Sequence, residues 1–180
     1  MSNQIIVAGI DTGDVAAGLL LAGWEPGTRK CRWARAWQAD GYGGATELLA
    51  MLIRSYTTGR PGVCLASAIS AVAIEAFDNR PKASGLHGTS PGRIQRQVQG
   101  MEAACRGDGI PVFVRRASEV KPWVDAGDAR LAASGLLDVC SAAPMRHAKS
   151  AAWHTLFCAV RNCGLPDPLT RSRAVRDATG

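Results

Sequence analysis

The sequence predicts an α/β fold: a mixed five-stranded sheet, its first three strands antiparallel, flanked by helices on both faces. Three observations carry this. The first forty residues hold three apolar segments in succession, joined by short polar stretches. Beyond them the order becomes helix, strand, helix, strand, helix, the alternation expected where helices cover a sheet. The spacing of apolar residues changes at the same place, from strand-like runs to three-and-four repeats.

Residues 4–10 (QIIVAGI) read as a buried strand, and VAAGLLLAGW from Val15 as a second, joined by a turn over Thr12–Asp14. CRWARAW, from Cys31 to Trp37, alternates and reads as a third strand. After the loop DGYGG comes ATELLAMLIRSY, where Leu48, Leu49, Leu52 and Ile53 recur at helical spacing; TGRPG then breaks the pattern. SAISAVAIEAF contains a short buried strand carrying Glu75, and residues 78–92, rich in Gly and Pro, read as a loop. GRIQRQVQGMEAACRGDG predicts a helix with Ile94, Val98, Met101 and Cys105 on one face. IPVFV (110–114) is a further strand, SEVKPWVDAGDARLAASGLL gives a turn and short helices, and PMRHAKSAAWHTLFCAVRNCG opens on proline, runs helically and closes at Gly164. Residues 1–164 therefore read as one domain and 165–180 as a flexible tail.

At 180 residues the chain is long enough to bury a sizeable core, and 47% hydrophobic content is that of a globular protein. No run is long and apolar enough for a membrane span, and MSNQ lacks the basic start of a signal peptide, so the expected compartment is the cytoplasm. The six cysteines are scattered without a C-x-x-C pair and read as buried reduced thiols. A net charge of +6, mostly from arginine, favours a polyanionic partner.

Asp11 ends the first strand within GIDTG. Three chemistries use a D-T-G turn: an aspartic protease, a sugar-kinase or actin-like ATPase, and a metal-dependent nuclease. The bland reading is a turn aspartate bonded to the amides of Thr12–Asp14. A protease needs a mostly β chain and two such turns, and the ATPase architecture needs a second related domain with an adenosine pocket, for which this length leaves no room. No nucleotide cofactor is expected. Glu75 likewise emerges from a buried strand, and two acids brought together there repel unless a divalent cation lies between them. Oxygen ligands of this kind suit magnesium or manganese. In RHAKSAAWH, His147, Ser150 and His154 are spaced three, four and seven apart and share one helix face, beside Arg146 and Lys149. Such a face offers a metal ligand, a base or phosphate contacts. Arg80, Lys82, Arg93, Arg96, Arg115, Arg116 and Lys121, read as lying in loops and helix starts, are candidates for backbone phosphate. Phe77 reads either as a base-stacking ring or as a core residue.

GIDTG, AIEAF, WVDAGDARLAASGLL and RHAKSAAWHTLF, in this order, resemble the RuvC-type Holliday-junction resolvases of the RNase H-like superfamily, above all their shorter phage-like relatives. The resemblance covers residues from about 5 to 163. It implies an RNase H-like fold and a structure-selective endodeoxyribonuclease acting on four-way or other branched DNA. It also implies a homodimer, with the helix from Arg93 to Cys105 at its interface, and two magnesium or manganese ions per active site. Asp11 and Glu75 match the two strand ligands, and His147 matches the first position of the family's H-x-x-D or D-x-x-D pair. The second position should be Asp and is Ser150. The site thereby loses a negative charge, which leaves two outcomes: compensation by His154, Asp14 or Asp78, or a protein that binds branched DNA without cutting it.

Overall fold

The computed structural model describes residues 4–13, 16–41, 43–57, 69–76, 91–124, 128–141 and 145–170. Its strands are β1 (Ile5–Asp11), β2 (Ala16–Trp24), β3 (Trp33–Asp40), β4 (Ala71–Ala76) and β5 (Val112–Arg116). Its helices are α1 (Gly44–Thr57), α2 (Pro91–Gly107), α3 (Ala117–Val124), α4 (Ala129–Ser134), α5 (Leu137–Cys140) and α6 (Arg146–Arg161). The strands form one sheet in the order β3-β2-β1-β4-β5. β1, β2 and β3 pair antiparallel, while β4 lies parallel to β1 and β5 parallel to β4. This is the predicted mixed sheet.

Because side chains alternate along a strand, each face collects its own set. Ile6, Ala8 and Ile10 of β1, Leu19 and Leu21 of β2, and Val72 and Ile74 of β4 meet the Leu48, Leu49 and Leu52 row of α1 and the Ile94, Val98, Met101 row of α2. The opposite face presents Val7, Leu20, Ala22, Ala71 and Ala73 to Ala148, Ala151, Ala152 and Ala159 of α6, with Leu131 and Leu136 packed alongside. Here the helix lies unusually close. A methyl at Gly9 would stand 2.3 Å from the Ala151 carbonyl oxygen, and one at Gly18 would stand 2.1 Å from the His147 carbonyl carbon. Glycine is required at both by backbone approach, whatever its conformational freedom.

Several boundaries move. The third strand starts at Trp33, not Cys31, because the Cys31 amide bonds to the Ser134 carbonyl and is drawn out of the sheet. Pro91 begins α2 rather than ending the loop before it, as suits a residue without an amide proton. Arg115 and Arg116 belong to β5, where they pair with Glu75 and Ala76, and are not loop residues. The packed chain also continues past Gly164: Leu165 is buried and its amide bonds to Ala159, while Asp167 binds Arg130. Residues 171–180 lie outside the described part. Cys105, Cys140 and Cys158 are buried and Cys31 and Cys163 half-buried, all with free thiols. No described helix is long and apolar enough to cross a membrane.

Candidate active site

Parallel pairing of β1 with β4 places Ile10 beside Ile74. One residue further on, Asp11 and Glu75 end their strands side by side and turn to the α6 face. The hydroxyl of Thr12 donates to the Glu75 carbonyl oxygen at 2.9 Å and ties the two strand ends together. Above them runs the first half of α6, whose leading amide, that of His147, is capped by Gln38 Oε1 of β3 at 3.2 Å. Gly18, directly opposite Asp11 in β2, leaves room for the His147 backbone.

This arrangement brings all five predicted site side chains together. His147 Nδ1 lies 2.9 Å from Asp11 Oδ2. Ser150 Oγ donates to Glu75 Oε2 at 2.8 Å, and His154 Nε2 stands 3.3 Å from the same oxygen. His154 is only 2% exposed, so its ring serves the site interior and not the surface. Asp11 is thus bonded to the last helix, while Asp14 of the turn in the bland reading lies outside the described residues. Arg146 Nε donates to His147 Nε2 at 3.2 Å, which leaves Nδ1 to carry the ring proton toward Asp11.

The two acids differ electrostatically. Burial, reinforced by the charge of Glu75 and a hydrogen bond shared with it, pushes the Asp11 carboxyl up to about 8, against the opposing fields of His154 and Lys121. Burial also pushes Glu75 up, but the hydrogen bond and field of His154, with bonds from Ser150 and Asp11, outweigh it and hold Glu75 below its ordinary value. Burial and the neighbouring Arg146 lower His147 below the usual imidazole value, so it stays neutral near pH 7. The pair therefore carries a proton on Asp11 where two ionised carboxylates would repel. Two buried oxygen donors sharing one proton are a donor set that a hard divalent cation fits. Among the described residues, no three His, Cys, Asp or Glu side chains already enclose a common centre.

The basic residues divide. Lys121 lies within electrostatic reach of Asp11. Lys149 is paired with Asp128 at 2.6 Å. Arg115 stacks over Phe157 and reaches Glu119 and Asn162. Arg93 and Arg96 sit exposed on α2, across the sheet from α6. Phe77, Arg80 and Lys82, with Asp14 and Asp78, lie outside the described residues. The sequence reading missed the parts played by Thr12, Gln38 and Gly18. Of these only Gly18 left a signal: like Gly9, it interrupts an apolar strand where a larger residue would otherwise pack.

No protein-family model matches the sequence, and no curated protein matches it. The architecture does match solved structures. Thermus thermophilus RuvC in complex with a Holliday junction substrate is 16% identical, with 86% of this chain and 92% of that one covered at a TM-score of 0.55. A second Thermus thermophilus RuvC structure gives 18% identity, 86% and 93% coverage, and the same TM-score. The fold is that of RuvC. Fowlpox virus resolvase, bound to its substrate Holliday junction DNA, shares it at 9% identity, with 89% and 99% coverage and a TM-score of 0.53. The RuvC-like core thus spans most of this chain and nearly all of each neighbour. At such identities the likeness is one of fold, and the site has to argue its own chemistry.

Proposed function

We propose that the protein is a divalent-metal-dependent endonuclease that cuts phosphodiesters in four-way or other branched DNA. One observation carries this reading: on a RuvC-like fold, a buried Asp11 and a half-buried Glu75 meet near the ends of adjacent parallel strands, under a helix that supplies His147, Ser150 and His154 to them. A core built for stability gains nothing from apposed carboxylates.

Asp11 and Glu75 would hold magnesium or manganese, with His147 as a third donor once it releases Asp11 or Arg146. The bound cation supplies activation of a water and neutralisation of the leaving oxygen. Lys121 adds positive charge beside Asp11 and suits a non-bridging phosphate oxygen. Thr12 keeps the two acids in register through its bond to the Glu75 carbonyl. Arg115, Arg116, Arg146 and Lys149 would supply positive charge to a phosphate backbone without reading bases, Lys149 by exchanging its Asp128 partner and Arg115 its Glu119 partner. Arg80, Lys82, Arg93 and Arg96 would add to it, with Phe77 stacking on an unpaired base. A homodimer would present two such sites to a symmetric junction.

A second reading keeps the fold and loses the chemistry: a protein that binds branched DNA without cutting it. The observation in its favour is Ser150, which offers a neutral hydroxyl where a carboxylate is expected. Incubating a labelled four-way junction with magnesium or manganese separates the two, with linear duplex and the Asp11→Asn variant as controls. Paired nicks across the junction, lost in the variant, are expected. Tight binding with no nicks in either metal would instead establish the silent binder.

A further inference from the structure

The contacts of Glu75 and Asp11 are unequal in number and kind. A carboxylate oxygen offers about two lone-pair directions. At Glu75 Oε2 two partners from α6 approach, the Ser150 hydroxyl at 2.8 Å and His154 Nε2 at 3.3 Å. Among the described residues both α6 donors take Oε2, which leaves Oε1 of Glu75 to face a ligand. Ser150 turns its proton to the carboxylate, so it acts as a donor to Glu75 and not as an anionic ligand of its own. Asp11, by contrast, meets α6 through the His147 imidazole alone, besides the hydrogen bond it shares with Glu75.

Charge leads the same way. Among the described residues the site holds two carboxylates, Asp11 and Glu75, with Asp40 acting on His147 from further off. One divalent cation balances two carboxylates. A second would leave two positive charges uncompensated by any further carboxylate among the described residues of the site, beside Lys121 and two imidazoles, at a desolvation cost.

We infer that this site takes one divalent cation per chain, held from the Asp11 side, and that the Ser150 and His154 donors occupy the half of Glu75 that a second cation would need. The inference rests on the metal-dependent reading above and sharpens it: the strand acids keep one cation, and α6 provides hydrogen bonds where an Asp at position 150 would provide a ligand.

Calorimetric titration of the full chain with Mn2+ alone, with free Mn2+ followed in parallel by its electron-paramagnetic-resonance signal, tests this without reference to activity. The expected stoichiometry is one Mn2+ per chain, abolished by Asp11→Asn, unchanged by Ser150→Ala and doubled by Ser150→Asp. Two Mn2+ per wild-type chain would overturn the inference and leave the nuclease reading standing. No Mn2+ bound at all would overturn both. A folded Ser150→Asp still binding one would remove Ser150 as the determinant. If that variant fails to fold, the wild-type stoichiometry and Ser150→Ala decide the matter between them.

Discussion

The two faces of the sheet are built on different principles. Under α1 and α2 the layer is thick and aliphatic, with Ile, Leu and Met filling the space between sheet and helix. Under α6 it is thin: alanines of the helix lie on alanines and glycines of the strands, and backbone meets backbone. A thick apolar layer tolerates exchange among side chains of similar volume. A thin one fixes the distance between helix and sheet, and that distance sets where His147, Ser150 and His154 fall relative to Asp11 and Glu75. Stability is spread over both faces, whereas the candidate chemistry sits on the one that cannot relax.

The comparison breaks most sharply at Gly9. Gly9→Val drives a branched side chain into the Ala151 carbonyl and the Thr155 amide, which cannot yield unless α6 moves. A loss of about 4 kcal/mol or more is expected in denaturant unfolding, and whatever folded protein remains should lose the Mn2+-dependent rise in Tm expected of the wild type. Leu52→Ala empties a fully buried position on the other face and should cost about 3 kcal/mol. Its Mn2+-dependent rise in Tm should survive, since nothing near the acids moves. Equal losses of metal response in the two variants would mean that the faces are not separable in this way.

The smallest effect tests the rim of the α6 face. Arg130 of α4 grips Asp167 and also donates to the Trp123 carbonyl. Burial raises Asp167, but Arg130, the Leu169 amide and Arg161 outweigh it and hold the carboxyl below its ordinary 3.8. A depressed carboxyl stabilises the fold above the unfolded value, and the contribution disappears as pH falls through the folded value. Asp167→Asn should therefore lower stability by about 1 kcal/mol at pH 6, with the gap closing below about pH 4. A gap constant with pH would assign the loss to packing alone.

Much of this molecule was readable from local pattern. The apolar runs through Ile5–Ile10 and Val72–Ile74 announce buried strands, and the 147, 150, 154 spacing puts three polar groups on one helix face whatever the partner. What local pattern withholds is distance between remote segments. Nothing near Gln38 says that it caps a helix 109 positions away, and nothing near Leu165 or Asp167 announces that the chain beyond Gly164 folds back onto α4. Arg115 and Arg116 looked like loop residues because two adjacent arginines suit solvent better than a sheet. They lie in β5, which among the described strands is an edge of the sheet.

The tie between α6 and the strand acids has a consequence for the order of events on the ribosome. Asp11 and Glu75 are made early and His147, Ser150 and His154 late, so a growing chain ending at Cys140 carries both acids and none of those three α6 side chains. Until the last helix arrives and seats itself against Gly9 and Gly18, such a pair lacks the Ser150 and His154 donors that hold Glu75 ionised. The candidate site is thereby completed only once α6 has been made, and any shorter fragment has the acids without their helix partners.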